Sequence, residues 1–363
     1  MTRHHVDEVL AAAETPVGSA YCDRDVFLKE LDAIFSCAWL GASSPPDAPE
    51  SMSPYTLLPG ALDEPLVWTR DAEGRPHCLS NVCTHRGMLI ACEAGSAKRL
   101  RCGYHGRRFG LDGALEAAPG FEGAENFPRS MDDLPTVSWG AWGPMHFVSL
   151  GAAQSFDAWL RPLKPWLGFL DVGALKPDPA WTRRYDVAAN WKLYLDNYLE
   201  GFHIPTVHKS LAAALDVSSY RVEGLQGGSL QIGMASPGGP CLPLQPGHPL
   251  AEESVAAMYF HLFPNTLVNV YPWGVSINHV NPVGVNQTEV IFERYVGNAS
   301  LLDQGAGAGL HQVEMEDEAV VEATQRGVRS RLYTRGRYAP KHEAAVHHFH
   351  RWWSKQLSGV GSK

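Results

Sequence analysis

The chain changes its hydrophobic periodicity twice. Between Val26 and Leu40, apolar side chains recur at the three- and four-residue spacing of one helical face, which predicts a helix. From about Met52 to Leu150, the apolar runs are short and are separated by Pro-Gly, Glu-Gly and Asp-Gly pairs, a pattern typical of antiparallel strands and turns. This part of the chain therefore predicts a helix followed by a small β domain.

The second half of the chain mixes longer helical patterns with strand patterns. The predicted elements are helices near Phe156–Leu167, Asn190–Phe202 and Leu310–Gly327, and strands between Tyr220 and Val296. Such a mixture favours an α+β fold with a mostly antiparallel sheet. We therefore predict three parts: a helical lead-in over residues 1–40 that packs on the C-terminal domain, a β domain over 41–150, and an α+β domain over 151–363.

Composition and charge narrow the class of protein. The 363 residues are 45% hydrophobic, which is enough for two domains with cores of their own. A formal charge of −9 without a visible basic patch makes nucleic acid and anionic membranes unsuitable partners. Since the sequence shows neither a targeting segment nor an apolar run of membrane-spanning length, we expect a cytoplasmic protein.

Two short motifs combine cysteine with histidine. Cys83 and His85 form the first, Cys102 and His105 form the second, and a glycine follows each. Two cysteines and two histidines are the ligand set of a Rieske [2Fe–2S] cluster, in which histidines replace two cysteines on one iron. Zinc also accepts this set, but zinc fingers pair cysteine with cysteine and histidine with histidine. The motifs therefore favour the cluster over zinc and over coincidence.

A second metal-type pattern contains His203 and His208. A spacing of five residues places two side chains about 140° apart on a regular helix, so both reach one metal only if the helix breaks between them. Pro205 is predicted to supply that break. Each histidine alone is typical of an ordinary core or surface residue, but the pair in this context favours a metal site.

A carboxylate on the last predicted helix completes the set. Two histidines with open positions require a carboxylate to form the facial triad of non-haem Fe(II) oxygenases. Asp317 interrupts the apolar stripe of this helix, where an unpaired carboxylate costs several kcal/mol. The alternative is a buried Asp317 paired with Arg326 or Arg329. Another face of the helix, interpreted as solvated, carries Glu314, Glu318 and Glu322.

Over nearly its whole length, the chain resembles the α subunit of a Rieske non-haem iron oxygenase, also called an aromatic-ring-hydroxylating dioxygenase. The two Cys-His motifs match the family's cluster motifs, and Glu200, His203 and His208 match its iron motif. The segment around Asp317 matches the one that supplies the third iron ligand. The resemblance implies an N-terminal Rieske [2Fe–2S] β domain and a C-terminal helix-grip catalytic domain, an antiparallel sheet around a long helix, with a mononuclear Fe(II).

The resemblance also implies how the two centres cooperate. Family members commonly form homotrimers in which the cluster of one subunit reduces the iron of its neighbour. Glu200 matches the carboxylate that bridges the two centres, although many relatives have Asp there; the alternative is that it neutralises Lys192 or Lys209. Arg107 and Arg108 stand where many relatives have Trp, and we interpret them as part of the docking surface for the electron donor.

The electrons are expected to come from another protein. The chain has no glycine-rich dinucleotide fingerprint of its own. The expected partner is therefore a separate NAD(P)H-dependent reductase, with or without a ferredoxin, and the expected substrates are O₂ and a small organic molecule.

Aromatic residues dominate the strands that we expect to line the substrate cavity. The stretches 258–267 and 271–279 alternate as strands do, with one face toward the cavity. Aromatic walls stack on a flat ring, but they also attract a quaternary ammonium ion. We expect hydroxylation of an aromatic substrate, with a monooxygenase or N-demethylase of the betaine, carnitine or choline type as the alternative. A non-catalytic Rieske electron-transfer protein is the second alternative, which an intact iron triad disfavours.

Overall fold

The structure, a computed structural model, describes residues 4–359. The first three residues of the predicted lead-in and the last four of the predicted C-terminal domain lie outside the described residues. The chain divides into a unit of residues 39–152 and a unit that combines the N-terminal residues up to Ala38 with those from Ala153 onward. The predicted boundaries at residues 40 and 150 each lie two residues from these divisions.

Within residues 39–152, short antiparallel strands form three small sheets. The strands are β1 (Leu40–Ala42), β2 (Ser51–Leu57), β3 (Glu64–Arg70), β4 (Pro76–Ser80), β5 (Gly95–Ser96), β6 (Leu100–Arg101), β7 (Arg108–Phe109), β8 (Leu115–Ala117), β9 (Ser138–Trp142) and β10 (Met145–Ser149). The strand orders are β1-β10-β9, β4-β3-β2-β5 and β6-β7-β8. Cys83 and Cys102 are part of the apolar core, where they join Val67, Leu79 and Phe109. The core therefore anchors both Cys-His motifs.

The other unit contains one large antiparallel sheet and the longer helices. Its strands are β11 (Lys176–Pro177), β12 (Arg183–Val187), β13 (Leu215–Leu225), β14 (Gly228–Ala235), β15 (Val255–Leu262), β16 (Thr266–Tyr271), β17 (Gly274–Gly284) and β18 (Gln287–Val296). Strands β13 to β18 are neighbours in sequence order, and β11 and β12 both pair with β18.

The helices of this unit pack on the sheet and on one another. They are α1 (Arg24–Ala33), α2 (Phe156–Trp159), α3 (Trp191–Tyr198), α4 (Ile204–Val207), α5 (Lys209–Ala214), α6 (Leu310–Gly327) and α7 (Ala344–Ser358). Helix α3 contacts both α6 and β17. This arrangement confirms the predicted α+β class. None of the helices in residues 4–359 is both long and apolar enough to cross a membrane.

A buried ion pair joins helices α1, α3 and α7. Lys192 Nζ lies 2.6 Å from Glu30 Oε1, and both side chains are fully buried. The indoles of Trp191 and Trp353 donate to the same carboxylate at 2.9 and 2.6 Å. Removing one partner of a buried pair lowers the free energy of unfolding by about 3–5 kcal/mol. This contact therefore fixes the helix that leads to His203 and His208. Lys192 is committed to Glu30, so its alternative pairing with Glu200 is wrong.

Several predicted helices, among them the first two, are shorter in the structure. Helix α1 stops before Leu40, which instead pairs with Val148 in a sheet. Helix α2 ends at Trp159 because Pro162 and Pro165, which lack an amide hydrogen, follow it. Helix α6 has the predicted bounds, whereas α7 was not predicted.

Candidate active site

The two Cys-His motifs form a pair of matching loop tips. The amide of Gly87 donates to the carbonyl of Cys83 at 3.0 Å. In the second loop, the amide of Gly106 donates to the carbonyl of Cys102 at 3.1 Å. Both glycines have positive φ values, 71° and 76°, a conformation that glycine adopts without the penalty of a Cβ atom. The two loops therefore turn in the same way and end on the same residue types.

The four predicted cluster ligands lie together at these tips. Cys83 and Cys102 are only 3% and 2% exposed and their thiols are in contact. The rings of His85 and His105 lie 4.7 Å apart. Within the described residues, the buried Nδ1 of His85 has no hydrogen-bond partner. An unpaired imidazole nitrogen beside another imidazole and two thiols is what a cluster iron would satisfy, so the donor set fits a [2Fe–2S] centre.

Local electrostatics favour the metal-binding forms of two of these side chains. Burial and nearby positive groups lower the pKa of His85, which keeps the imidazole neutral, as a metal ligand must be. Burial raises the pKa of Cys102, but the Tyr104 amide, 3.5 Å from the sulfur, and Cys83 outweigh burial and lower the pKa. Amide groups that point at a sulfur stabilise the thiolate.

Arg107 is a buried cation beside the cluster loops. It is only 2% exposed, and its guanidinium group lies 4.3 Å from the ring centre of Phe121. It donates to Thr84 Oγ1 at 3.2 Å and lies 3.8 Å from Asp132. The prediction that Arg107 shapes a docking surface is therefore wrong; of the two arginines, only Arg108 is exposed.

The surface around the loop tips exposes several large apolar side chains. Tyr104, Met88 and Leu89 are 56%, 41% and 44% exposed. The ring of Tyr104 stacks on exposed His105 with a centroid distance of 3.8 Å. Exposed apolar side chains around a redox ligand are suited to contact with another protein chain.

His203, His208 and Asp317 converge in the other unit. One ligating atom of each residue lies within 4.8 Å of the others. The histidines flank helix α4, whereas Asp317 lies on α6, 109 residues after His208. Two imidazoles and one carboxylate are the donor set of the facial triad, so the three side chains fit a mononuclear Fe(II).

The break that brings the histidines together precedes both of them. Helix α3 begins after Asn190, whose side chain accepts from the amide of Lys192 at 3.2 Å. It ends at Tyr198, four residues before the predicted end. Pro205 lies in the first turn of α4, where a missing amide hydrogen costs no helical hydrogen bond. The prediction that Pro205 breaks a helix is therefore wrong, although the two histidines do reach one site.

Asp317 holds both histidines by charge and hydrogen bonding. Its Oδ1 lies 2.9 Å from His208 Nε2 and 3.5 Å from His203 Nε2. Burial lowers the pKa of His203, but hydrogen bonds to Asp317 and Glu200 outweigh burial and raise the pKa to about 9. Burial raises the pKa of Asp317, but the two histidines lower it below its usual value. The surroundings thus favour positive charge at this point, which suits a divalent cation.

A carboxylate orients each of these histidines. Glu200 Oε1 lies 2.6 Å from His203 Nδ1, and Glu316 Oε2 lies 2.7 Å from His208 Nδ1. Such partners fix the orientation and tautomer of the ring, so that Nε2 is left for the metal. Sequence reasoning singled out Glu200 but missed Glu316, whose place beside Asp317 was the available signal.

The carboxylate of the triad has an amide partner. Asn197 on α3 donates to Asp317 Oδ1 at 2.5 Å. Together with the two histidines, this contact accounts for the partners of Asp317 in the described structure. The alternative in which Asp317 pairs with Arg326 or Arg329 is therefore wrong.

Glu314 does not lie on a solvated face of α6. It is 2% exposed, and its Oε2 accepts from the hydroxyl of Tyr194 at 2.7 Å. Its Oε1 is sealed from solvent and has no hydrogen-bond partner among the described residues. Burial raises the pKa of Glu314 well above its usual value. The predicted solvated face is wrong for Glu314 because α6 packs against α3 on this side, whereas Glu318 and Glu322 are half-buried.

A cavity of about 100 Å³ adjoins the triad. Since one water requires about 10–15 Å³ of such space, the cavity has room for a small organic molecule. Strands β15 and β16 contribute Tyr259 and Tyr271, as the sequence predicted for this stretch. The tyrosines that line the cavity are Tyr194, Tyr198, Tyr220, Tyr259 and Tyr271. Among the described residues, no lysine or arginine lines it.

Comparison with known families identifies the class of protein that this fold and these donor sets define. Residues 175–359 match the ring-hydroxylating α-subunit catalytic domain, and residues 54–128 match the Rieske [2Fe–2S] domain. The chain belongs to the Rieske-type ring-hydroxylating oxygenase α-subunit family. It is therefore an oxidoreductase with a Rieske [2Fe–2S] cluster and a mononuclear iron, and it uses O₂, a small substrate and electrons from a reductase partner.

Individual relatives cover nearly the whole chain. Chloroplastic choline monooxygenase of Amaranthus tricolor is 31% identical over 98% of this chain and 81% of its own length. The carnitine monooxygenase oxygenase subunit of Escherichia coli K12 is 27% identical over 86% of this chain and 84% of its own. A solved quaternary ammonium Rieske monooxygenase shares the fold, with a TM-score of 0.73, 21% identity, and coverage of 97% of this chain and 100% of that one.

Proposed function

We propose that the chain is the oxygenase component of a monooxygenase that acts on a quaternary ammonium compound. The observation that carries the proposal is the tyrosine-lined cavity beside the triad. Aromatic faces attract a desolvated cation by about 2 kcal/mol each, and no described lysine or arginine in the wall opposes it. The choline and carnitine monooxygenase relatives support this substrate class, the predicted alternative, over an aromatic ring.

The steep angle between two of the rings also suits a tetrahedral cation. Tyr259 and Tyr271 lie 5.9 Å apart at an interplanar angle of 78°, whereas Tyr220 is tilted by 26° from Tyr259. A flat arene stacks best against parallel walls. A trimethylammonium group presents methyl groups in several directions, so it contacts rings that stand at steep angles to one another.

The protein contributes positioning and electrostatics to the reaction. When bound, the cluster supplies electrons one at a time and the iron activates O₂, so that R–H, O₂, two electrons and two protons give R–OH and water. Glu200 and Glu316 hold the two histidine rings, and Asn197 holds the carboxylate of Asp317. The tyrosine walls exclude water and hold a C–H bond of the substrate next to the triad.

We further propose that the active form is a homotrimer that receives electrons from an NAD(P)H-dependent reductase. An exposed aromatic side chain lies beside a histidine of each metal site. Tyr104 stacks on His105 at the cluster tip, and Phe202, 56% exposed, adjoins His203 in the chain. Contact between copies would bury both aromatic residues and bring Glu200 toward the cluster of a neighbour. Light scattering should give three times the mass of the chain.

A single-turnover experiment tests the proposed activity. Protein with both metal centres loaded and the cluster chemically reduced is mixed with ¹⁸O₂ and a panel of choline, L-carnitine, trimethylglycine and naphthalene. We expect formaldehyde from an N-methyl group or an ¹⁸O-labelled product from a quaternary ammonium compound. Labelled naphthalene products with untouched ammonium compounds would instead support the aromatic substrate class.

A further inference from the structure

Glu314 places a carboxylate in the cavity wall that the triad does not use. It lines the same cavity as Asp317 and precedes it by three positions on α6. Residues three apart on a helix have Cβ atoms about 5–6 Å apart on the same side. A small molecule that reaches the triad therefore lies within a few ångströms of Glu314.

The carboxylate of Glu314 has no cationic partner among the described residues that line the cavity. Its hydrogen-bond donor is the neutral hydroxyl of Tyr194, and its other oxygen is unpaired and buried. By contrast, Glu200 and Asp317 each pair with a histidine. Ionisation of a buried carboxyl group without a counter-charge is costly, in agreement with the raised pKa of Glu314, so the charged form requires a positive charge that a ligand in the cavity can supply.

We propose that Glu314 is the counter-ion of the substrate and that the substrate is a quaternary ammonium alcohol rather than a zwitterion. This inference rests on the proposed function and narrows its substrate class. A substrate carboxylate would meet Glu314 without any described lysine or arginine in the wall to offset the repulsion. A hydroxyl group instead finds a neutral partner in the hydroxyl of Tyr259, which lines the cavity and has no hydrogen-bond partner among the described residues.

Calorimetric binding to the metal-loaded, oxidised protein without O₂ tests this inference. Three probes of nearly equal size separate the charges: choline, its uncharged carbon analogue 3,3-dimethylbutan-1-ol, and the zwitterion trimethylglycine. The wild-type protein should bind choline at least about 10-fold more tightly than either of the other probes, since a buried opposite charge contributes more than about 1.4 kcal/mol.

Two glutamine variants assign the preference to one side chain. Glu314→Gln keeps an oxygen for the Tyr194 hydroxyl but removes the charge, and it should bind choline and the carbon analogue within about 3-fold of each other. Glu318→Gln, one turn further along α6 and outside the cavity wall, should keep the wild-type preference. Because the preference is a ratio within one protein, a general loss of folded protein does not imitate the result.

The outcomes separate this inference from the proposed function. If the wild type binds trimethylglycine as tightly as choline, or if Glu314→Gln keeps the full preference for choline, the role of Glu314 is overturned while the proposed function stands. If the wild type binds none of the ammonium compounds, both are overturned.

Discussion

The two metal sites of this chain are assembled in opposite ways. The cluster site consists of two local loops, each with a cysteine, a histidine and a glycine of positive φ within a few residues. The iron site joins the two ends of helix α4 to a carboxylate 109 residues beyond His208. The first site is therefore specified by turn geometry, and the second by the packing of α3 and α6.

The charges around the two sites differ as well. A buried arginine, Arg107, lies beside the cluster loops. The iron site is surrounded by carboxylates, of which Glu200 and Glu316 bind the histidines and Glu314 lines the cavity. A cation near a redox centre favours the reduced state, whereas carboxylates favour a bound metal cation and a cationic substrate. The positive charge therefore lies at the site that accepts electrons from the donor, and the negative charges lie at the site that binds the metal cation and the substrate.

The largest expected effect is the loss of one metal without the other. Asp317→Ala should abolish iron at the mononuclear site, because two histidines alone leave the donor set incomplete, while the cluster absorbance remains. The reciprocal variant, Cys102→Ser, should lose the cluster absorbance and keep the mononuclear iron. Iron per chain and the visible spectrum measure both. Full iron loading in Asp317→Ala would contradict the assignment.

The next largest effect is expected at Glu200. Glu200→Gln should keep both metals but slow the oxidation of the reduced cluster, in the presence of O₂ and substrate, about 100-fold. Loss of a side chain that supports a metal ligand typically lowers activity about 10–100-fold. Stopped-flow absorbance follows this reaction. Cluster oxidation at the wild-type rate would show that Glu200 does not take part in electron transfer.

A smaller effect is expected at Glu316, which orients the other histidine. Glu316→Gln should weaken iron binding about 10-fold because the ring of His208 loses its charged partner at Nδ1. Competition with a chelator measures the affinity. At saturating iron, cluster oxidation should be normal, which distinguishes this variant from Glu200→Gln. An unchanged affinity would show that Glu316 does not support iron binding.

The smallest effect is expected at Arg107. Arg107→Met removes a buried positive charge, so the reduced cluster loses stabilisation. The reduction potential of the cluster should therefore fall by tens of millivolts. A shift of about 59 mV corresponds to a tenfold change in a one-electron equilibrium. Arg108→Gln, at an exposed neighbouring position, is the matched control and should leave the potential nearly unchanged. Equal potentials in the wild type and Arg107→Met would contradict the role of the buried charge.

The same contrast explains what the sequence could predict. The cluster ligands and the two iron histidines stand in short motifs, and Asp317 stands out because a lone carboxylate interrupts an apolar stripe. The residues that surround these ligands are harder to predict from the sequence, since their environment depends on which helix face packs against which neighbour. Glu314 and Arg107 are charged residues that sequence reasoning placed at the surface, yet packing against α3 and against Phe121 buries them. Burial of a charge depends on partners that lie far away in sequence.

Helix α7 and Pro205 show two further limits of predicting structure from local sequence. Helix α7 carries buried residues at helical spacing, at Ala345, Val346, Phe349 and Trp353, so the periodicity of the sequence is compatible with a helix here. The sequence predicts that Pro205 breaks a helix, although proline is equally suited to a first helical turn. Local sequence does not distinguish these two uses of proline, because the deciding feature is where the preceding helix ends.

The most direct test of the central claim measures which molecules bind beside the mononuclear iron. The iron-loaded, O₂-free protein is treated with nitric oxide, which gives the ferrous site an electron paramagnetic resonance signal, and is then titrated with choline or with naphthalene. We expect choline to change the signal in a saturable way and naphthalene to leave it unchanged. A signal that responds to naphthalene and not to choline would contradict the assignment to quaternary ammonium compounds.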